Sequence, residues 1–147
     1  IVDIAAADSD FSTLVAALQA ADLVETLQGD GPFTVFAPTN AAFDKLPAGS
    51  LDLLLLPENQ NILRDVLLYH VANAELTASQ IPVGQQFTMA NGDQTTFTRD
   101  FYGQRIFINN AEIVTADVDA ENGIVHVIDN VLLPVHNYEL NQLLQQL

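Results

Sequence analysis

The first half of the chain carries apolar residues at helical spacing. Phe11, Leu14, Val15 and Leu18 stand at positions i, i+3, i+4 and i+7 after Asp10, which places them on one face of a helix that Asp10 would cap. Similar segments follow, with polar or proline residues at their starts. The predicted helices cover residues 10–18, 23–27, 40–46, 51–56 and 58–68.

Strand-like alternation appears once in this half and dominates after Val71. Residues 33–37 follow the Gly31-Pro32 break and alternate in a β-rich run. Beyond Val71 the period of the apolar residues changes to two, with turn signals such as Asn122-Gly123 between the runs. The further predicted strands are 74–76, 85–89, 95–98, 105–108, 112–116, 124–128 and 131–133, and residues 136–147 predict a closing helix.

This order of elements predicts an α+β fold. Helices that come first and short strands that come afterwards do not make the alternating βαβ pattern of a parallel sheet. A chain of 147 residues and 16.0 kDa has the size of one domain, and it contains no internal repeat. We predict a single domain over residues 1–147.

Charge narrows the range of partners. The chain has 4 Lys and Arg against 19 Asp and Glu, a net charge of −15. Yet 49% of its residues are hydrophobic and its mean hydropathy is +0.21, which indicates a folded domain with an acidic surface rather than a disordered tail. Nucleic acid is excluded because phosphate binding needs clustered Lys and Arg. Insertion into a membrane is not expected, since no apolar run is long enough to span one.

Candidate catalytic residues are few. The absence of Cys excludes disulfides, thiolate metal sites and thiol catalysis. His70, His126 and His136 are the three histidines, and no Ser stands in a Gly-x-Ser-x-Gly elbow. The spacing of these histidines does not indicate a metal site. We therefore expect neither an enzyme nor a cofactor.

Two segments carry weaker chemical signals. Asp117-x-Asp119-x-Glu121 is similar to the start of a calcium loop, but Asn122 and Ile128 replace the Gly and Glu of an EF-hand. This pattern predicts at most weak Ca²⁺ association and no specific metal site. The other segment is aromatic and basic, with Phe101 and Tyr102 between Arg99 and Arg105. It has two interpretations, a hairpin tip with a cation–π contact or a recognition loop for a partner or glycan.

Three stretches together resemble a known family. They are residues 34–43 (TVFAPTNAAF), Tyr69-His70, and residues 122–134 (NGIVHVIDNVLLP). In order and spacing they resemble the two signatures and the tyrosine–histidine motif of the fasciclin-like domain family. The resemblance covers essentially the whole chain. It implies a wedge of two short β-sheets with a layer of α-helices on one side.

The resemblance also singles out residues with structural roles. Thr39 and Asn40 are expected to satisfy backbone groups where a strand turns into a helix. His70 is expected to tie the helical layer to the sheet, and Asp129 to fix a turn. The full set of motif residues is Thr34, Pro38, Thr39, Asn40, Tyr69, His70, Gly123, His126 and Asp129.

In function, the resemblance implies a non-enzymatic adhesion module, secreted or at the cell surface. Its expected partner is an extracellular protein or a polysaccharide. The alternative is a soluble carrier of an apolar small molecule such as a carotenoid, because some algal members of the family bind carotenoids and this chain is rich in Leu at residues 51–56.

The partner-binding residues are expected near the second signature. Animal matrix members carry there an Asp-Ile pair associated with integrin binding, and this chain has Asp117 and Val118, followed by Asp119. The extra charge disfavours an apolar contact and no Arg-Gly-Asp is present, so we do not expect integrin recognition. The predicted partner-binding set is Asp117, Val118, Asp119, Phe101 and Tyr102.

Overall fold

A computed structural model describes residues 7, 9–29, 32–45, 50–81, 83–99, 105–109, 111–120, 123–132 and 142. Helices dominate the first half, as the apolar spacing predicted. A 3₁₀ turn at Ser9–Phe11 leads into the first of them. The helices are α1 (Ser12–Ala20), α2 (Val24–Leu27), α3 (Asn40–Asp44), α4 (Ser50–Leu54) and α5 (Gln60–Leu68).

Seven strands form a mixed sheet, which confirms the α+β class. They are β1 (Phe33–Pro38), β2 (Val71–Ala72), β3 (Gln86–Thr88), β4 (Gln94–Arg99), β5 (Ile106–Ile108), β6 (Ala111–Ala120) and β7 (Gly123–Ile128). Their order in the sheet is β2-β1-β7-β6-β5-β4-β3. β1 and β7 run parallel, and the other neighbouring pairs are antiparallel.

The long strand β6 joins what would otherwise be two sheets. It pairs with β5 through Ala111 and Glu112 and with β7 from Ile113 to Ala120. An apolar cluster lies on each side of the sheet. The cluster on the helical side includes Leu14, Leu63 and Val125, and the other includes Phe36, Phe97 and Ile128. Successive residues of β7 therefore contribute to both cores, as alternation along a strand requires.

Two predicted strands are wrong, because side chains bind their backbone groups instead of a neighbouring strand. At residues 74–76, the Thr34 hydroxyl donates to the Ala74 carbonyl and accepts the Leu76 N–H. The strand in this region is the two-residue β2. Residues 131 and 132 of the predicted strand 131–133 are irregular, and the Leu132 N–H donates to His70. The predicted closing helix 136–147 lies outside the described residues except for residue 142.

Candidate functional site: a cleft beside the β6 bulge

His70 is a buried structural group. Its Nε2 accepts the Leu132 N–H at 2.9 Å, so the ring proton is on Nδ1, which donates to the Val66 carbonyl at 2.8 Å. Burial lowers the pKa of His70 to about 4. The ring is neutral at physiological pH and ties the end of α5 to the segment that follows β7.

His126 holds the backbone in the same manner. Its Nδ1 accepts the Asp117 N–H at 3.2 Å, so Nε2 carries the proton and donates to the Leu76 carbonyl at 2.6 Å. The ring is fully buried and stacks on Phe36, with centroids 5.4 Å apart. This histidine therefore connects β7 to β6 and to the irregular segment after β2.

The contact with His126 lies at a bulge in β6. Thr115 pairs with Val127 and Val118 pairs with Val125, so Ala116 and Asp117 together lie opposite His126 and β6 has one additional residue. Asp117 has a φ of 59°, a left-handed conformation that Asp tolerates better than most residues. The bulge leaves Asp117 exposed and Val118 half-buried against the helical-side core.

A small cleft opens beside this bulge. Its volume is about 210 Å³. Valines of β6 and β7 make its floor, and the turn before α1 and the residue before α3 lie along its rim. The lining residues are Asp10, Phe11, Thr39, Thr115, Val118, Val125 and Val127.

Thr39 and Asn40 position the rim. The Thr39 hydroxyl accepts the Ala42 N–H at 3.3 Å and caps α3. Asn40 reaches further, because its Oδ1 accepts the Thr13 N–H at 3.0 Å and its Nδ2 donates to the Ser9 carbonyl at 2.9 Å. The amide thereby fixes the 3₁₀ turn that brings Asp10 and Phe11 to the cleft.

The other motif residues support the sheet around this site. The Tyr69 hydroxyl donates to the Gln94 carbonyl at 2.8 Å and accepts from the Asn109 amide at 3.0 Å, and burial raises the pKa of Tyr69. Asp129 accepts the Glu112 N–H at 2.8 Å. Pro38 is the last residue of β1 and pairs with Ile128.

Gly123 is required by close approach of β1 and β7. A Cβ atom at this position would lie 1.8 Å from the Phe33 carbonyl oxygen, far inside van der Waals contact. The glycine therefore lets the parallel pair begin at Phe33 and Gly123.

Of the predicted partner-binding residues, Val118 lines the cleft, and Asp117 is the exposed residue that precedes it in the bulge. Asp119 lies in β6, but its side chain is not among those described, and Phe101 and Tyr102 lie outside the described residues. Five further residues line the cleft and were not predicted as site residues, namely Asp10, Phe11, Thr115, Val125 and Val127. They reach the cleft through tertiary contacts, so no local pattern marks them.

Within the described part of the chain, no group of three or more His, Asp or Glu residues is arranged to hold a metal ion. Among these residues, no helix has the length and apolar character needed to cross a membrane.

The chain matches known proteins over most of its length. The fasciclin domain model matches residues 9–134. Protein sll1483 of Synechocystis sp. is 51% identical over 134 residues, which cover 91% of this chain and 73% of that protein. Cell surface glycolipoprotein MPB83 of Mycobacterium bovis is 41% identical over 129 residues, which cover 84% of this chain and 55% of MPB83.

A solved structure has the same fold. The FAS1 domain pair of the insect cell adhesion molecule Fasciclin I matches with a TM-score of 0.63 at 20% identity, covering 83% of this chain and 44% of that one. Because the family model matches residues 9–134, which include both signatures, His70 and His126, the chain belongs to the fasciclin domain family.

Proposed function

We propose that this chain is a non-enzymatic adhesion module, secreted or at the cell surface, that binds a matrix protein or a polysaccharide at the cleft beside the β6 bulge. One observation carries the proposal. His126 binds the backbone of the exposed Asp117, and the adjacent half-buried Val118 lines a cleft, which supports contact with a partner at this place.

The histidine geometry supports the non-enzymatic part. A general base needs a ring nitrogen that can reach a substrate proton. In His70 and in His126, both ring nitrogens are already bound to backbone groups. Neither histidine offers a nitrogen for proton transfer unless the fold opens.

The surface location is supported by the relatives. MPB83 is named a cell surface glycolipoprotein, and Fasciclin I is named a cell adhesion molecule. We extend this location to the present chain as part of the proposal.

The size of the cleft supports a macromolecular partner. Pockets for drug-sized molecules measure about 300–1,000 Å³, whereas this one measures about 210 Å³. It suits one apolar side chain or one sugar ring that belongs to a larger partner. Neighbouring groups of that partner would contact the surface around Asp117.

Among the described residues, no observation favours the carrier of an apolar molecule. Leu54 is 2% exposed, and Leu53 and Leu55 pack against the same helical-side core. These leucines are used in packing within the described residues. A colourless protein that fails to take up carotenoid on reconstitution would remove this alternative.

Binding of the purified chain to immobilised matrix proteins and polysaccharides tests the proposal. We expect binding to at least one of them, and about 5-fold weaker binding by Val118→Thr, which keeps the side-chain shape but places a hydroxyl in the cleft. Asp117→Asn tests the carboxylate, since Asn also tolerates the left-handed backbone. Leu56→Thr is the control, at an apolar residue that is 39% exposed and does not line the cleft.

Absence of binding to every protein and polysaccharide tested would contradict the proposal. Equal loss of binding in Val118→Thr and Leu56→Thr would contradict the assignment to the cleft.

A further inference from the structure

The β3–β4 hairpin presents an uncharged polar surface. Gln86 pairs with Thr96 and Thr88 pairs with Gln94. These four side chains and Thr98 are exposed, while the intervening Thr95 and Phe97 are buried. On the next strand, Phe107 pairs with Thr98, and its side chain is half-buried. We name this surface the open face, and its residues are Gln86, Thr88, Gln94, Thr96, Thr98 and Phe107.

The open face is on the same side of the sheet as the cleft. Phe107 pairs with Glu112, and Glu112 points away from the side of Ile113 and its partner Ile128. Val127, which lines the cleft, also points away from the side of Ile128. Among the described residues, β1 and β7 contribute apolar side chains to the helical-side core, whereas the side chains of β3 and β4 on this side are exposed. In the order of the strands, the cleft at β6 and β7 therefore lies between that core and the open face.

Charge separates the open face from the rest of the molecule. The chain has a net charge of −15. Next to the open face, Arg105 and Glu112 pair at 3.5 Å across β5 and β6, and Asp93 and Arg99 stand at the two ends of the exposed run on β4. An anionic polymer would be repelled by the whole molecule, and a cationic partner would prefer its acidic surfaces. A neutral partner is the one that gains most from an uncharged surface.

The chemistry of the open face matches sugar hydroxyls. Threonine hydroxyls and glutamine amides each donate and accept hydrogen bonds. Along β4 they recur at every second residue, roughly 7 Å apart, and they continue on β3 at a strand spacing of about 5 Å. Such a repeating array suits a polymer with repeating hydroxyls. Phe107 adds an apolar surface against which a sugar ring can pack.

From these observations we propose that the open face binds a neutral polysaccharide, with the cleft at one end of the binding surface. The inference rests on the proposed function, because it names the chemistry of the adhesion partner. It adds a second set of contact residues that lies outside the cleft.

Native gel electrophoresis with polysaccharide in the gel tests this inference. We expect retardation of the wild-type chain by at least one of three neutral polymers (hydroxyethyl cellulose, a galactomannan and dextran) and none by alginate. Thr96→Val/Thr98→Val keeps the β-branched shape and should weaken binding at least 5-fold. Thr96→Glu/Thr98→Glu should abolish it. Gln19→Glu/Asn61→Glu, which adds charge at two exposed helical positions, should bind like wild type.

Melting temperatures within a few degrees of wild type establish that the variants fold. If Thr96→Glu/Thr98→Glu does not fold, Thr96→Val/Thr98→Val still tests the inference. The inference is overturned if the wild-type chain runs unretarded in all three neutral polymers, if only alginate retards it, or if both threonine variants bind like wild type. If the chain binds a matrix protein but no neutral polymer, this inference fails and the proposed function stands. If it binds nothing, both fail.

Discussion

At the scale of single residues, His70 stabilises the fold through its neutral form. Its protonated ring could not accept the Leu132 N–H, because both ring nitrogens would then be donors. Protonation therefore breaks a buried hydrogen bond and leaves a charge in the core. The folded state binds a proton at His70 only when the pH falls to about 4.

We predict that His70 makes the fold less stable in acid. Its pKa is about 4 when folded and about 6.5 when unfolded, so the unfolded chain binds more protons between these values. The contribution of His70 is complete above pH 6.5 and is lost as the pH falls to 4, a loss of roughly 3 kcal/mol.

Denaturant unfolding of wild type and His70→Gln at pH 7, 5.5 and 4 measures this effect. The acidic residues titrate in both proteins, so the difference between the two curves isolates His70. The difference should shrink as the pH falls. A constant difference would contradict the prediction.

At Gly123 we predict a large effect of one methyl group. Gly123→Ala places a Cβ 1.8 Å from the Phe33 carbonyl oxygen, so β1 and β7 must separate, at a cost of at least about 2 kcal/mol in the free energy of unfolding. Gly84→Ala is the matched control, because its φ is +84° but nothing lies within 4 Å of the new Cβ. There we expect only the backbone penalty of about 1 kcal/mol. Similar losses at both sites would argue against the steric explanation.

The role of a residue could be predicted from sequence where its hydrogen-bond partner is only a few positions away. A capping hydroxyl at Thr39 follows from a strand that ends just before a helix, and the Ala42 N–H is three residues away. Asn40 has partners 27 and 31 positions away, in and before α1. Local patterns do not encode such partners, so neither the rim nor the cleft could be predicted.

At the scale of elements, the β6 bulge depends on one side chain from a neighbouring strand. His126 binds the Asp117 N–H and the Leu76 carbonyl. Two irregular segments, the bulge and residues 74–76, are thus held by the same ring. Val114, which is 53% exposed, lies at a second register shift of β6, between Ile113 and Thr115.

We predict that His126→Phe loosens both segments. The ring shape and the contact with Phe36 are retained, but the Asp117 N–H and the Leu76 carbonyl lose their partner, which should cost roughly 3 kcal/mol. Hydrogen exchange at the Asp117 amide should accelerate by more than the global loss of stability explains. Phe36→Leu, which removes the stacking and keeps both hydrogen bonds, should cost about 1 kcal/mol. Unchanged exchange at Asp117 in His126→Phe would contradict this role.

Strands were predicted correctly where their backbone groups form hydrogen bonds with a neighbouring strand. β1 and β7 were predicted to within one residue at each end because their alternation continues for the full length of the pair. Residues 74–76 alternate as well, but Thr34 and His126 bind their backbone. Period-two spacing indicates that a segment is extended. It does not indicate whether its backbone N–H and C=O groups bond to a neighbouring strand or to side chains.

At the scale of the whole molecule, the charge of −15 opposes folding through self-repulsion. Raising NaCl from about 0.01 M to about 1 M shortens the screening length from about 30 Å to about 3 Å. We therefore predict that the melting temperature at pH 7 rises by several degrees. The same salt series near pH 4.1, the isoelectric point from sequence, is the control and should give a much smaller rise. An equal rise in melting temperature at both pH values would mean that salt does not stabilise the protein by screening its net charge.

The parallel pairing of β1 with β7 has a mechanical consequence. Six residue pairs join Phe33–Pro38 to Gly123–Ile128. Tension applied to the chain before β1 and after β7 would pull the two strands in opposite directions along their length, which loads the ladder in shear. The hydrogen bonds would then share the force and fail together, after the bond from Leu132 to His70. A domain with this pairing resists tension that is applied along its own chain.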